Sequence, residues 1–353
     1  MAKLIAIDFG TSNTLIFTKG NGIIFEQPSV VAIDINSKKI LTVGNEAQKM
    51  TGKTPTNIKI IRPLKFGSID KFDIAIKMLK MIIEKTKEGK KFSKIFTKSN
   101  VLVGVPNNIT QVETRGIEEV INESGAKKVV LVKDVIADAI STGENINSPN
   151  ISFIVDIGGG TTNVAAIALG GILAEESIKI GGYDIDLDII QYIKKNYNVE
   201  IGELTAESLK IELADVLIDG EKSKKVVGQD LASGLPVSIK ISNVEIYEAI
   251  KVTVYKIINN IKRVIENCPP ESASDILTNG ITLVGGGCKL KNIDKLLKSE
   301  LGITAQKVEN PEYSTINGLG IILDHLDLVK SMVLEYSSRE IQNIYKNKIN
   351  END

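Results

Sequence analysis

The chain has 353 residues, 42% of them hydrophobic and 25% charged, with a formal net charge of −1; this length predicts about two domains, and this charge balance argues against nucleic acid as the main partner. One histidine, His325, and two cysteines, Cys268 and Cys288, exclude a His-rich metal cluster, a His-based triad and a disulfide framework. The N-terminus enters a strand pattern without a signal-peptide core, and no apolar run approaches the roughly 20 residues that span a bilayer, so the expectation is a cytoplasmic protein.

In chain order, residues 3–9 (KLIAIDF) form a short β-branched strand, and LIFTK resumes strand character after a polar turn. GIIFEQPSVVAID and KKILTVG extend this β-rich opening. Phe72, Ala75, Ile76, Leu79, Ile82 and Ile83 recur at helical spacing, which predicts a helix over 72–86. A strand at 99–106 ends at Pro106, followed by a helix at 111–124, a strand at 129–132 and a helix over 134–142. Residues 151–171 read as strand, turn, strand. The second half predicts helices near 184–196, 205–216 and 243–266, strands around 235–241, and a strand and turn at 280–288 before a last helix. This alternation implies α/β layers with mixed sheets.

The chain also echoes itself. LIAIDFGTSNTLIF and FIVDIGGGTTNVAAI share an apolar strand, an Asp, a small-residue turn, hydroxyls, an Asn and a second apolar strand. Glycines at such a turn leave backbone N–H groups free to wrap phosphate oxygens, and Thr and Ser add donors. Asp8 and Asp156 end the two strands, where a carboxylate beside phosphate is unfavourable unless a cation lies between them. A hydrated Mg²⁺ fits that role. A single hairpin of this kind is equally a run of turn-favouring residues; the ordered pair reads as a clamp on a Mg–nucleoside triphosphate. A third cluster, Gly285, Gly286 and Gly287, is either a strand-to-helix turn or a platform for a purine. AQKMTGKT (47–54) imitates a P-loop, but a helical pattern precedes it and Pro55 follows at once, so it is rejected.

These three clusters, in this order, resemble the actin-like ATPase superfamily and, within it, the MreB family of bacterial cell-shape proteins. IDFGTSNTLIF is similar to the family's first phosphate loop. GIIFEQPSVVAID, VGNEAQKMTGKTPTNIKIIRPLKFG, VDIGGGTTNVAAIALGGI, IGELTAESLKIE and ITLVGGGCKLKNIDKLL are similar to its further signatures. The Lys-, Ile- and Asn-rich composition resembles that of paralogues from wall-less bacteria such as spiroplasmas. The resemblance implies an actin-like ATPase fold with two lobes, each a ribonuclease-H-like core plus a small subdomain, and a nucleotide cleft between them. The expected first lobe is 1–145, with a subdomain at about 30–75, completed by 323–353. The second is 146–322, with a subdomain at about 182–245.

By position, the resemblance implies that Gly10, Thr11, Ser12, Asn13 and Thr14 hold the β- and γ-phosphates of ATP, opposite Gly158, Gly159 and Gly160. Asp8 and Asp156 orient Mg²⁺. The segment Glu207, Ser208, Leu209 and Lys210 contacts the adenosine, with Glu207 and Lys210 as reaching groups that without the resemblance read as a surface ion pair. Gly285 to Gly287, with Cys288, face the purine. Thr161 and Asp134 place the attacking water.

The sequence also departs from the family. In KDVIADAI, Asp134 stands for a Glu, Val135 for a Pro and Lys133 for an acid. Asn163 replaces an acid, and Leu204 an Arg. A carboxylate one methylene short is displaced, and misplacement by about 1 Å can cost about 10²-fold in rate. The expectation is therefore an intact ATP site with slow hydrolysis. The resemblance implies antiparallel double filaments of the protein with itself. The alternatives are a hydrolysis-poor paralogue that copolymerises with an active one, and a small-molecule kinase of the superfamily. KTKEGKKFSKIFTKSN (85–100) reads either as a contact with the inner face of the membrane through Phe92, Ile95 and Phe96, or as a solvated hairpin whose aromatics fold inward.

Overall fold

The computed structural model describes residues 4–86 and 89–325. The chain opens with β1 (Leu4–Phe9), β2 (Asn13–Thr18) and β3 (Gly22–Pro28), an antiparallel meander. A small three-stranded sheet follows, made of β4 (Val31–Asp34), β5 (Ile40–Val43) and β6 (Ile58–Ile61), with α1 (Asn45–Lys49) between the last two. The P-loop imitation thus starts inside a helix and follows no phosphate-loop geometry. A short pair, β7 (Leu64–Lys65) and β8 (Ser68–Ile69), leads to α2 (Phe72–Lys85) and α3 (Gly89–Phe96). β9 (Asn100–Val105), α4 (Gln111–Glu123), β10 (Lys128–Lys133) and α5 (Asp134–Ser141) finish the first half. Thr110 caps α4 reciprocally with Glu113, which fixes where the helix starts.

The second half repeats the plan. β11 (Ser152–Ile157), β12 (Thr162–Ala168) and β13 (Gly171–Ile178) form another antiparallel meander, followed by α6 (Gly182–Tyr197), β14 (Val199–Glu200) and α7 (Glu203–Leu213). β15 (Ser223–Asp230) and β16 (Pro236–Ser242) pair beside β14 in a second small sheet. The long α8 (Asn243–Asn267), α9 (Ser272–Asn279), β17 (Ile281–Val284), a 3₁₀ turn at Gly286–Lys289, α10 (Ile293–Leu301), β18 (Ala305–Lys307) and α11 (Ser314–Asp324) complete the described chain.

The two main sheets have matching topology. One runs β3-β2-β1-β9-β10 and the other β13-β12-β11-β17-β18. In each, the first three strands are antiparallel and the next two join in parallel. Each β2-type strand also carries a register shift against its outer neighbour, at Ile16/Phe17 and at Ala166/Ile167. The echo between the two motifs is therefore a duplication of the whole sheet.

Strand alternation decides what each face meets. Ile5, Ile7 and Phe9 face a core shared with α2, α3 and α4. Phe153, Val155 and Ile157 face a core shared with α6, α7 and α8. The opposite parity, Ala6 and Leu102 in one sheet and Ile154 and Ala165 in the other, meets in a central layer built on α5 and α11. There, a Cβ at Gly318 would overlap the Ala137 backbone, and one at Gly320 would strike the Phe17 ring, so α11 lies closer to its neighbours than any side chain allows. The chain thus rejoins the first sheet at residue 314, and the boundary expected at 323 falls inside α11. Residues 326–353, expected to complete that lobe, lie outside the described residues.

Of the two readings of segment 85–100, the inward-folding aromatics hold, but on a helix and not on a hairpin. The segment contains α3, whose Phe92 and Phe96 are 3% and 0% exposed, with Ile95 packed against the same core. The ring centroids of the two aromatics lie 6.3 Å apart. A face committed to the core cannot also insert into lipid, so membrane contact through Phe92, Ile95 and Phe96 is corrected to inward packing. Among the described residues no helix is long and apolar enough to cross a membrane.

Burial sets the expected effect. Phe96→Ser should destabilise the protein by about 3–5 kcal/mol, as for other fully buried aromatics, measured by denaturant unfolding. Loss of vesicle binding with unchanged stability would contradict this packing.

Candidate functional site

Asp8 shares the parity of Ala6, and Asp156 that of Ile154, so the two acids point from opposed sheets into the same central layer. Asp134 opens α5 within that layer. The three line one cleft of about 680 Å³, together with Gly10, Thr11, Ser12, Asn13, Gly158, Gly159, Gly160 and Thr161. Glu207, Lys210 and Gly285 to Gly287 line its far side.

The first turn closes through the Gly10 N–H, which donates to the Asn13 carbonyl at 3.0 Å, and the second through the Gly158 N–H, which donates to the Thr161 carbonyl at 2.9 Å. The tips meet across the cleft. A Cβ at Gly159 would overlap the Ser12 side chain, and one at Gly160 would come within 2.6 Å of the Thr11 Oγ1. These glycines are therefore required for close approach, not for left-handed backbone. Gly285 differs, with φ at 79° and a Cβ position already filled by the Asp156 carboxylate and the Ile157 backbone.

Several residues expected at the site face elsewhere. Thr14 is fully buried, and its hydroxyl pairs with Ser29 Oγ at 2.8 Å, while Ser29 Oγ also donates to the Gly10 carbonyl at 2.7 Å. It braces the loop from behind. Leu209 and Cys288 are both 0% exposed in the core, where burial pushes the Cys288 thiol up to about 12. The Ser208 hydroxyl donates to Glu212 at 3.0 Å, and Ser208 does not line the cleft. Lys210 does line it, but its ammonium is bound to the Gly182 carbonyl and to Asp186.

The acids shape the electrostatics. Burial, with Asp156 nearby, pushes Asp8 up to about 7. Burial and the charges of Asp8 and Asp156 raise Asp134 well above the carboxylate range. Asp156 is raised by burial, against a 3.0 Å hydrogen bond from Asn163 Nδ2 that favours its charge. Three acids that resist ionising together fit a cation placed among them. Among the described residues no three converge as direct ligands, so the fit is to a hydrated ion.

The departures acquire local reasons. Asn163 lies directly opposite Asp156 in the register, and an acid there would replace its hydrogen bond by repulsion. Lys133 makes a 2.6 Å ion pair with Glu175 of the other sheet. Asp134 occupies space left by Gly104, where a Cβ would lie 2.5 Å from Asp134 Oδ1.

Other cleft residues escaped the sequence reading. Arg62, from the first half, lies 5.9 Å over the Tyr183 ring and 3.8 Å from Glu203, bridging the cleft mouth to the second half. Asp186, raised to about 6 by burial against the opposing Lys210 charge, sits on α6. Outside the cleft lining, Asp138 is fully buried one turn beyond Asp134 and accepts from the Thr315 hydroxyl at 2.8 Å. Its position inside the apolar run VIADAI was the available signal.

With this geometry in view, the family model for MreB/Mbl protein matches residues 2–331. The cell shape-determining protein Mbl of Bacillus subtilis (strain 168) is 42% identical over 327 residues, covering 92% of this chain and 97% of its own. The cell shape-determining protein MreB of Escherichia coli (strain K12) is 40% identical over 329 residues, covering 92% and 94%. Among solved structures, MreB5 of Spiroplasma citri superposes with a TM-score of 0.87 at 33% identity in its AMPPNP-bound form, over 93% of this chain and 97% of that one. Its ADP-bound form superposes with a TM-score of 0.86. A MamK double helical filament reaches 0.75 at 18% identity, over 91% and 98%, a likeness of fold alone. The duplicated sheets thus carry the expected actin-like fold, and the chain belongs to the MreB/Mbl family of bacterial cell-shape proteins.

Proposed function

We propose that the chain binds ATP with Mg²⁺ in the cleft and assembles with itself into antiparallel double filaments that organise cell shape, with slow hydrolysis coupled to filament turnover. The observation that carries this reading is the meeting of two hairpin tips, Gly10–Asn13 and Gly158–Thr161, across a cleft that Asp8, Asp134 and Asp156 also line. The nucleotide-bound forms of the S. citri relative support it.

In this reading Thr11, Ser12 and Asn13 and the backbone of Gly158 to Gly160 cradle the phosphates. Asp8 and Asp156 hold the waters of the cation. A bound Mg²⁺ supplies charge neutralisation to the phosphate oxygens. Thr161, 8% exposed at the second tip, and Asp134 orient the attacking water. Asp134 starts one methylene short, and its environment favours the neutral form, so it is a poor acceptor until a nearby cation offsets the neighbouring negative charges and favours its carboxylate. Glu207 faces the nucleoside, and Gly285 to Gly287 the base. Association with the inner face of the membrane, if made by the α3 region, is electrostatic, since Lys94 and Lys98 stay exposed while the aromatics do not. A hydrolysis-poor paralogue that copolymerises with an active one is the second reading, favoured by Asp134 alone.

Sedimentation separates these readings. The purified protein should pellet with ATP or AMPPNP and less with ADP; pelleting only with a second filament protein would favour the copolymer, and solubility throughout would reject filaments. Asp134→Glu should raise phosphate release from assembled filaments by about 10-fold or more, and an unchanged rate would remove Asp134 from the mechanism.

The acid cluster also predicts a pH effect. Because the folded pKa of Asp8 is raised, the native state binds its proton more tightly, and stability falls as pH rises from the ordinary 3.8 through about 7. Without nucleotide or Mg²⁺, Asp8→Asn should melt above the parent protein at pH 8, with the gap narrowing at pH 5. A lower melting point at pH 8 would show that the carboxylate stabilises the fold instead.

A further inference from the structure

The start of α6 is joined to the back of the second hairpin. The Gly182 N–H donates to the Gly158 carbonyl at 3.0 Å, and the Tyr183 N–H to the Gly159 carbonyl at 2.8 Å. A Cβ at Gly181 would lie 2.7 Å from both of those oxygens, so helix and hairpin touch backbone to backbone. One turn along α6, Asp186 faces α7. Lys210 of α7 inserts its ammonium between them, donating to the Gly182 carbonyl at 3.0 Å and to Asp186 Oδ2 at 2.8 Å. The side chains of Lys210 and Asp186 are only 17% and 10% exposed.

This pair is an expensive way to join two helices. Asp186 Oδ1 is buried without a hydrogen-bond partner among the described residues, and such groups lower stability. Ile185 and Leu209 already supply apolar packing for α6 and α7 in the same core. What the ion pair adds is a fixed position for the ammonium on the Gly182 carbonyl, at the point where α6 holds the hairpin. The Glu207 carboxylate, on the same face of α7 and near enough for its charge to act on Asp186, is the competing partner for a released Lys210.

We propose that Asp186 is a positioning residue: through Lys210 it holds the start of α6 against the Gly158–Gly160 hairpin, and so links the α7 side of the cleft to its phosphate-facing side. Loss of its charge releases the ammonium toward Glu207 and loosens the hairpin. The mechanical part stands without a nucleotide; the functional part rests on the reading of the cleft as an ATP site.

Hydrogen exchange on the nucleotide-free protein tests the mechanical part. Asp186→Asn and Lys210→Met should each speed exchange in segments 158–161 and 181–184 by about 10-fold, the scale of one lost charge-assisted hydrogen bond. The double variant should exchange no faster than either single one, because both act through one contact, and Asp186→Glu should stay nearer the parent. Unchanged exchange, or an equal rise along α8, would overturn the proposal. ATP titration tests the functional part: Asp186→Asn should bind about 10-fold more weakly, and equal affinity would overturn it. If the parent protein itself binds no ATP, the nucleotide reading fails, while the exchange result still decides the link.

Discussion

Ser12 and Thr11 press their side chains against the α-carbons of Gly159 and Gly160, and the tips of two separate sheets meet there with no side chain on one side. Everything around the cleft is arranged to hold that spacing. Ser29 and Thr14 brace the first tip from behind. The Gly158 turn and the start of α6 brace the second. Arg62 closes the mouth above them through Tyr183 and Glu203. A larger side chain at Gly159 or Gly160 would separate the sheets at their nearest point, so the glycines set the resting geometry of both halves.

The acids beneath the tips oppose that closeness. Asp8, Asp134 and Asp156 each lose solvation, and two of them are raised further by neighbouring carboxylates. A fold that keeps them therefore carries a local instability that a cation removes. The departures around Asp134 follow the same economy of charge. Lys133 turns away to pair with Glu175, Asn163 supplies Asp156 with a donor, and Gly104 vacates the volume that Asp134 Oδ1 borders.

Much of this was legible in the residue pattern, because strand parity is a two-residue repeat. Asp8 with Ala6, and Asp156 with Ile154, place both acids on inner faces once the duplication is seen. The same parity argument assigns Thr14 to the outer face with Ile16, which a motif read as a continuous block conceals. Leu209 follows Ala206 and precedes Leu213 on the apolar stripe of α7, so periodicity contradicted its place among the ligand-facing residues. β15 and β18 escaped detection because both are dominated by polar residues: SKKVVGQD is the middle strand of a small, half-exposed sheet, and AQK is a three-residue edge strand that among the described residues pairs only with β17. The helix α3 is missed, and the segment reads as a membrane contact or a solvated hairpin, because its lysines dominate the composition, whereas Phe92 and Phe96, four residues apart, share one helical face. The Asp186–Lys210 link and the Arg62 bridge join segments far apart in the chain, and no local pattern announces them.

The seam between α5 and α11 also governs the order in which the molecule can be completed. The second sheet and its helices use one continuous stretch, from β11 to β18, whereas the first sheet lacks part of the central layer until Gly318 reaches the Ala137 backbone. Because a ribosome delivers the chain from its N-terminus, the half synthesised first is the half finished last. Until α11 emerges, the inner faces of β1, β2 and β9 lack the helix that covers Ala6, Leu15 and Leu102, which leaves a sticky apolar surface on nascent chains.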